Sequence, residues 1–233
     1  MYKIANTFML IFLIFFIFLL IPQMALAWGP GVHTLISFNL LDELKAYGSV
    51  FYPIVSNNFW EFLYGSLAPD FMVAKKLVSK KNNSHNFDFA DKLIDSAKNE
   101  KELSFALGYL SHLASDKIMH EVFLSDYKIV NSFEHISVEL LSDAYYANYL
   151  NVVSFVLKRK STLDKPLKVN FGLVINTFIG KNILRLSTKN AISSISKNIV
   201  VNNFKIEKID KKVIDSYIKF SLKSSLTRIT KLK

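Results

Sequence analysis

From Gly31 to Thr230 apolar residues return every three or four positions, and little interrupts them: the 233 residues contain seven glycines and five prolines. A repeat of 3.6 is the signature of helices with one buried face, and scarce breakers let such helices run long. Strand-like alternation of period two is not found. The expectation is an all-α fold, a single compact multi-helix domain. Helices are predicted over Gly31–Ala46, Asn57–Tyr64, Phe87–Lys98, Glu100–Lys117, Ser132–Arg159, Asn170–Asn198 and Glu207–Thr230. Asn99 to Glu102 reads as a helix start with acidic residues in its first turn, and Ser132 as a cap for the next helix. Pro69 is expected to end the preceding helix and leave Ser66–Asp70 as a loop. Lys80–Ser84 reads as a polar loop leading into His85.

Residues 1–27 have the layout of a secretory signal peptide. Lys3 is followed by an unbroken apolar run of 14 residues, Phe8–Ile21, then Pro22 and the small-residue site Ala25-Leu26-Ala27. A permanent bilayer span wants about 20 apolar residues, so cleavage is the expected outcome. Removal leaves a domain of residues 28–233, exported to the periplasm or the medium and beginning at Trp28. The chain has no cysteine, which excludes a thiol nucleophile, thiolate zinc ligands and lipidation at the signal site. Charge is uneven: residues 1–157 carry 11 Lys and Arg against 15 Asp and Glu, residues 158–233 carry 18 against 4. Bound cations would relieve the first part. The basic second part, with Lys158, Arg159, Lys160, Lys165 and Lys168 beside apolar Phe171–Ile179, reads first as solvated helix edges; an anionic lipid surface or nucleic acid is the other partner such a stretch suits.

The chemistry-bearing residues concentrate near five histidines. In Ser111–His120, positions 112, 116 and 120 fall at roughly 0°, 40° and 80° around an α-helix, so two imidazoles and a carboxylate share one face. His135 and Glu139 are again one turn apart, close enough to meet on one ion. His33, His85 and Asp70 complete the set. Nitrogen and oxygen donors without thiolate suit zinc, with manganese or iron open by residue type. There is no glycine-rich phosphate loop, no Gly-x-Ser-x-Gly elbow and no His-Glu-x-x-His motif.

Taken in order, Trp28 with His33, Gly65-Ser66-Leu67-Ala68-Pro69-Asp70, Ser84-His85, Leu107–Asp116 with His120, and His135-Ile136-Ser137-Val138-Glu139 resemble the bacterial zinc-dependent phospholipase C family. The resemblance covers Trp28 to Tyr146; residues 147–233 carry no recognised motif. It implies an all-helical domain built around three zinc ions. Trp28 would ligate through its free α-amine and carbonyl beside His33. Asp116 would bridge to a second ion held also by Asp70, His85 and His112. His120, His135 and Glu139 would hold the third, and Asp70 would be the catalytic carboxylate. The implied reaction is hydrolysis of a glycerophospholipid, met at a membrane surface, to diacylglycerol and a phosphorylated head group. No protein partner is implied, and a monomer is expected.

The chain departs from the family in two places. Trp28 and His33 are closer together than in the well-known secreted members. Where those enzymes line a choline pocket with a glutamate and two aromatics, this chain has Gly31, Phe71 and Asn82; Phe71 alone matches and is the candidate substrate-binding residue. Two other readings stay open. One is a zinc-dependent single-strand nuclease of the same fold, for which the basic C-terminal part would meet a nucleic-acid backbone. The other is a non-catalytic surface-binding protein stabilised by its metal.

Overall fold

The computed structural model describes residues 28–71, 85–130, 132–158 and 209–232. The signal segment, the Lys80–Ser84 loop, the basic stretch from Arg159 and the Asn170–Asn198 helix lie outside the described residues. Those described are helical with no strand among them: α1 Pro30–Ala46, α2 Tyr52–Asn57, α3 Phe59–Phe71, α4 Phe87–Asp95, α5 Glu100–Ile118, α6 Ser132–Tyr145, α7 Ala147–Lys158 and α8 Lys211–Thr230. Beyond Ile118, α5 widens into a π-helical turn, Met119–Phe123, and closes with one α-helical turn, Leu124–Asp126. The all-α expectation holds.

Local chemistry sets several helix starts. The Asn99 side chain accepts the Glu102 amide at 3.0 Å while Glu102 Oε2 accepts the Lys98 amide at 2.8 Å, so donors at the head of α5 are satisfied from both sides. Asn86 and Asp210 cap α4 and α8 in the same way through the amides of Asp88 and Val213. Helix α1 differs: its N-cap is Gly29, which has no side chain to offer.

Three sequence expectations need correction. Pro69 does not end its helix, because α3 continues through it to Phe71. A proline removes one backbone donor, but Leu67 and Ala68 are wholly buried, and that packing outweighs the local preference. The Asn57–Tyr64 helix is two helices broken at Asn58, where the backbone leaves helical angles (φ −127°, ψ 42°) and the side chain donates to Ile54 O at 3.0 Å. The long Ser132–Arg159 helix also divides, at Tyr146, whose hydroxyl is drawn to Asp215 of α8.

Two apolar clusters form the core. One gathers Leu40, Leu44, Phe62, Leu67, Leu110 and Val153; the other gathers Trp28, Ile36, Met119, Phe123, Val138 and Ile218. Along α1 the handover falls between Ile36 and Leu40, and along α5 between Leu113 and Met119. Asp116 lies in that second interval, and His112 immediately precedes it.

Close approach of α3 to α5 depends on two glycines. A Cβ on Gly65 would sit 2.0 Å from Phe105 O, and one on Gly108 would sit 2.0 Å from Phe62 O. No other residue type fits either place without moving a backbone. Helix α8 lies along the other side of α5, where Ser221, Ser224 and Ser225 donate to the carbonyls of Ser115, Ala114 and Ser111 at 3.4, 3.0 and 3.0 Å. Residues with no recognised motif thus brace the helix carrying His112 and Asp116.

Candidate metal centre

Helices α1, α3 and α5 bring His33, Asp70, His112 and Asp116 into one buried cluster, and His85 joins it just ahead of α4. Asp116 is at the middle. Its Oδ1 lies 3.0 Å from His33 Nε2, and its Oδ2 lies 2.9 Å from His112 Nε2 and 3.2 Å from His85 Nε2. Asp70 Oδ1 lies 3.6 Å from His112 Nε2 and 4.0 Å from His85 Nε2. The rings of His33 and His112 stack at 3.9 Å.

The surroundings fix which ring nitrogens carry hydrogen. His112 Nδ1 is 2.8 Å from Ser66 O, and a carbonyl only accepts, so Nδ1 is the donor. His33 Nδ1 is 3.2 Å from Ser115 Oγ, whose own hydrogen goes to His112 O at 2.8 Å, so this Nδ1 also donates. In the neutral rings both Nε2 lone pairs then face the carboxylates. His33 Nε2 and both Asp116 oxygens are buried without a hydrogen bond of acceptable angle. Acceptors facing acceptors at these distances require a positive charge between them, and this is the usual way a second contact orients a metal-binding histidine. Atoms sharing a tetrahedral zinc at about 2.1 Å lie roughly 3.4 Å apart, which the 2.9–4.0 Å contacts bracket. Two triplets, His33–Asp70–His112 and His85–His112–Asp116, have ligand atoms all within 4.8 Å of one another. The residues present therefore fit zinc.

Charge within the cluster follows from the same neighbours. Burial alone would raise the Asp116 carboxyl, but the His112 and His33 imidazoles outweigh it and hold it well below the usual carboxylate range. For His112, burial pulls down while Asp116 and Asp70 push up, and the net shift is upward.

The other candidate ligands lie around this cluster. Trp28 lies two residues ahead of α1 and is buried; its indole Nε1 donates to Ser221 Oγ at 2.8 Å and its ring leans on Phe123. His120 lies in the π-helical turn beyond α5 and stands exposed where His112 and Asp116 are buried. It meets His135 edge to face, with centroids 5.3 Å apart. His135 and Glu139 are one turn apart on α6, and His135 Nε2 is buried with no hydrogen bond. Burial and then the neighbouring His120 push His135 down to about 4, while Asp116 pulls the other way. Phe71 is the last residue of α3, and its side chain lies outside the described residues. A groove beside Phe87, Lys117, Phe220 and Arg228 includes none of the nine candidate ligands; donor chemistry, not cavity shape, locates this site.

Sequence reasoning missed Asp143. It lies on α6 one turn beyond Glu139, is buried, and accepts the Val32 amide at 3.0 Å through Oδ1. Burial pushes its carboxyl up to about 7 against the pull of the Val32 and Gly31 amides. The signal was present: residues 135, 139 and 143 repeat at four-residue intervals on one helix face.

No curated protein and no solved structure matches the chain. The pattern describing the family "Zinc dependent phospholipase C" matches residues 32–219, a span that takes in every candidate ligand except Trp28. With a buried imidazole–carboxylate cluster suited to zinc on an all-helical frame, the chain belongs to the zinc-dependent phospholipase C family.

Proposed function

We propose that this protein is an exported phospholipase C that cleaves glycerophospholipids to diacylglycerol and a phosphorylated head group. The observation that carries the reading is Asp116, a buried carboxylate with three imidazole Nε2 atoms within 3.2 Å. Family membership supports phosphodiester hydrolysis and a lipid substrate. Among the described residues no helix is long and apolar enough to cross a membrane. Export after cleavage between Ala27 and Trp28 rests on the sequence layout of residues 1–27.

The proposed ligands are those the resemblance implies, in three sets. Asp116 is shared by a set with Trp28 and His33 and a set with Asp70, His85 and His112; His120, His135 and Glu139 form the third. When bound, zinc neutralises a phosphodiester's charge and lowers the pKa of an attached water from about 15.7 towards 7. The chain's own residues do the rest. Ser66 O and Ser115 Oγ hold the His112 and His33 rings in the tautomer that presents Nε2. Asp70, at the end of α3 and nearly buried, accepts the proton of the attacking water on its carboxylate. The water oxygen forms the new P–O bond, the bond from phosphorus to the glycerol oxygen breaks, and that oxygen takes up a proton as diacylglycerol leaves.

Substituting Asp116→Asn tests the reading on phospholipid vesicles, with single-stranded DNA assayed beside them. A drop of about 100-fold or more on vesicles is expected, at the upper end of what a lost metal-site interaction produces. Turnover near wild type removes the bridging role. Cleavage of DNA without cleavage of lipid replaces this substrate class with nucleic acid.

A further inference from the structure

Asp143 has no place in the ligand set that family resemblance implies, yet it is built into the segment that bears two of those ligands. Helix α1 begins at Pro30, so Gly31 and Val32 supply the amides that an N-cap side chain ordinarily satisfies. Gly29, at the cap, cannot satisfy them. Asp143 does so from a different helix: Oδ1 accepts the Val32 amide at 3.0 Å, and the Gly31 amide bonds the same carboxyl. A carboxylate there is also favoured by the helix dipole.

The chain makes room for this contact. A Cβ on Gly29 would lie 2.4 Å from the Asp143 carboxyl carbon and Oδ2, and one on Gly31 would lie 2.9 Å from Oδ1. Both glycines of Trp28-Gly29-Pro30-Gly31 are thus occupied by one acid. Trp28 flanks the clamped turn on one side, its indole tied to Ser221, and His33 follows on the other, its amide donating to Gly29 O at 3.0 Å. The acid grows from the same helix as His135 and Glu139.

We propose that Asp143 is a positioning residue for zinc: it clamps the Gly29–Val32 turn so that the backbone of Trp28 and the imidazole of His33 are held ready beside Asp116. This rests on the proposed ligand roles of Trp28 and His33. It assigns to a buried acid outside the ligand set the job of coupling α6 to the N-terminal ligands, and it gives the two glycines a reason.

The test uses the full chain purified after export, as wild type, Asp143→Ala, Asp143→Asn, Gly29→Ala and the double variant Gly29→Ala/Asp143→Ala. Zinc per chain is measured by elemental analysis, zinc affinity by chelator competition, helicity by circular dichroism, and Tm with and without zinc. Asp143→Ala should keep its helicity, lose about one zinc per chain and bind the weakest zinc at least tenfold less tightly. Asp143→Asn, which retains one acceptor, should lie between Ala and wild type. Gly29→Ala should weaken zinc too, and the double variant should be no worse than the more affected single one, because the clash is gone. A cap with only a structural role lowers Tm equally with and without zinc; the proposal requires the zinc-dependent gain in Tm to shrink. If Asp143→Ala fails to fold, Asp143→Asn and Gly29→Ala decide by the same readouts. Full zinc content and unchanged affinity in the folded variants overturn the proposal. A wild-type protein that binds zinc without cleaving phospholipid sinks the activity but not this inference, which the zinc measurements still decide; a wild-type protein that takes up no zinc overturns both.

Discussion

Gly108→Ala tests whether helix contact sets the metal centre. The added Cβ would meet Phe62 O at 2.0 Å, the Phe62 carbonyl carbon at 2.8 Å and Ser66 N at 3.0 Å, all backbone atoms without a rotamer to escape into. Ordinary contact begins near 3.4 Å, so α3 and α5 must part by roughly 1.4 Å at this point. Ser66 O is on the displaced helix and accepts from His112 Nδ1 at 2.8 Å. If the whole shift reached that bond it would stretch to about 4 Å, beyond hydrogen bonding. Overpacking costs about 1–3 kcal/mol, and a buried imidazole N–H left unpaired about 1–3 more. Alanine's better helix propensity returns about 1 kcal/mol. The net is a loss near 3 kcal/mol, or about 6–12 °C in Tm for a chain of this size. Freed of its second contact, His112 should bind zinc about 10–100-fold more weakly. Calorimetry and chelator competition measure both effects. Gly48→Ala is the control: Gly48 has φ +68° with nothing within 4 Å of a Cβ, so the change costs roughly 1 kcal/mol of backbone strain and leaves zinc alone. A Gly108→Ala protein that melts within about 2 °C of wild type and binds zinc as tightly would refute the reasoning.

Chelation should lower Tm reversibly, because it leaves buried carboxylates and imidazole lone pairs facing one another; a melting curve untouched by exhaustive chelator dialysis would count against the metal. Ser221→Ala removes the 2.8 Å partner of the Trp28 indole and should cost about 1–3 kcal/mol in urea unfolding, with no loss meaning that the indole finds another acceptor. In zinc-free protein, folded His135 titrates near 4 against about 6.5 unfolded, so the unfolded chain binds more protons in that window and stability falls as pH drops through it. The ring is only half-buried and screened by water, which reduces the effect to about 1 kcal/mol. His135→Gln should flatten that part of the stability–pH curve, and an unchanged slope would assign the proton elsewhere.

Much of the site was legible because metal ligation restricts residue type and helices restrict spacing. His112 and Asp116, which the structure brings to 2.9 Å, needed only a four-residue interval. That His120 stands exposed in a π-helical turn while His112 and Asp116 are buried was not legible from spacing, because neither burial nor a π-turn is written in a four-residue interval. The Pro69 loop failed because a local preference met a buried interface. Asp143 went unread because its partner amides are more than a hundred positions away, and no motif ties an acid on α6 to glycines before α1.

The sequence by itself determined the helical class, through apolar periodicity and a shortage of breakers, and the donor set, through which side chains can hold zinc. Only the tertiary structure decided which nitrogen of each ring faces the acids, since that depends on Ser66 O and Ser115 Oγ arriving from other turns. It also decided that glycines 65 and 108 face backbone carbonyls, and that C-terminal serines brace the metal-binding helix. Periodicity and residue chemistry are carried along the chain, whereas hydrogen-bond partners and contact distances between helices exist only once distant segments have packed.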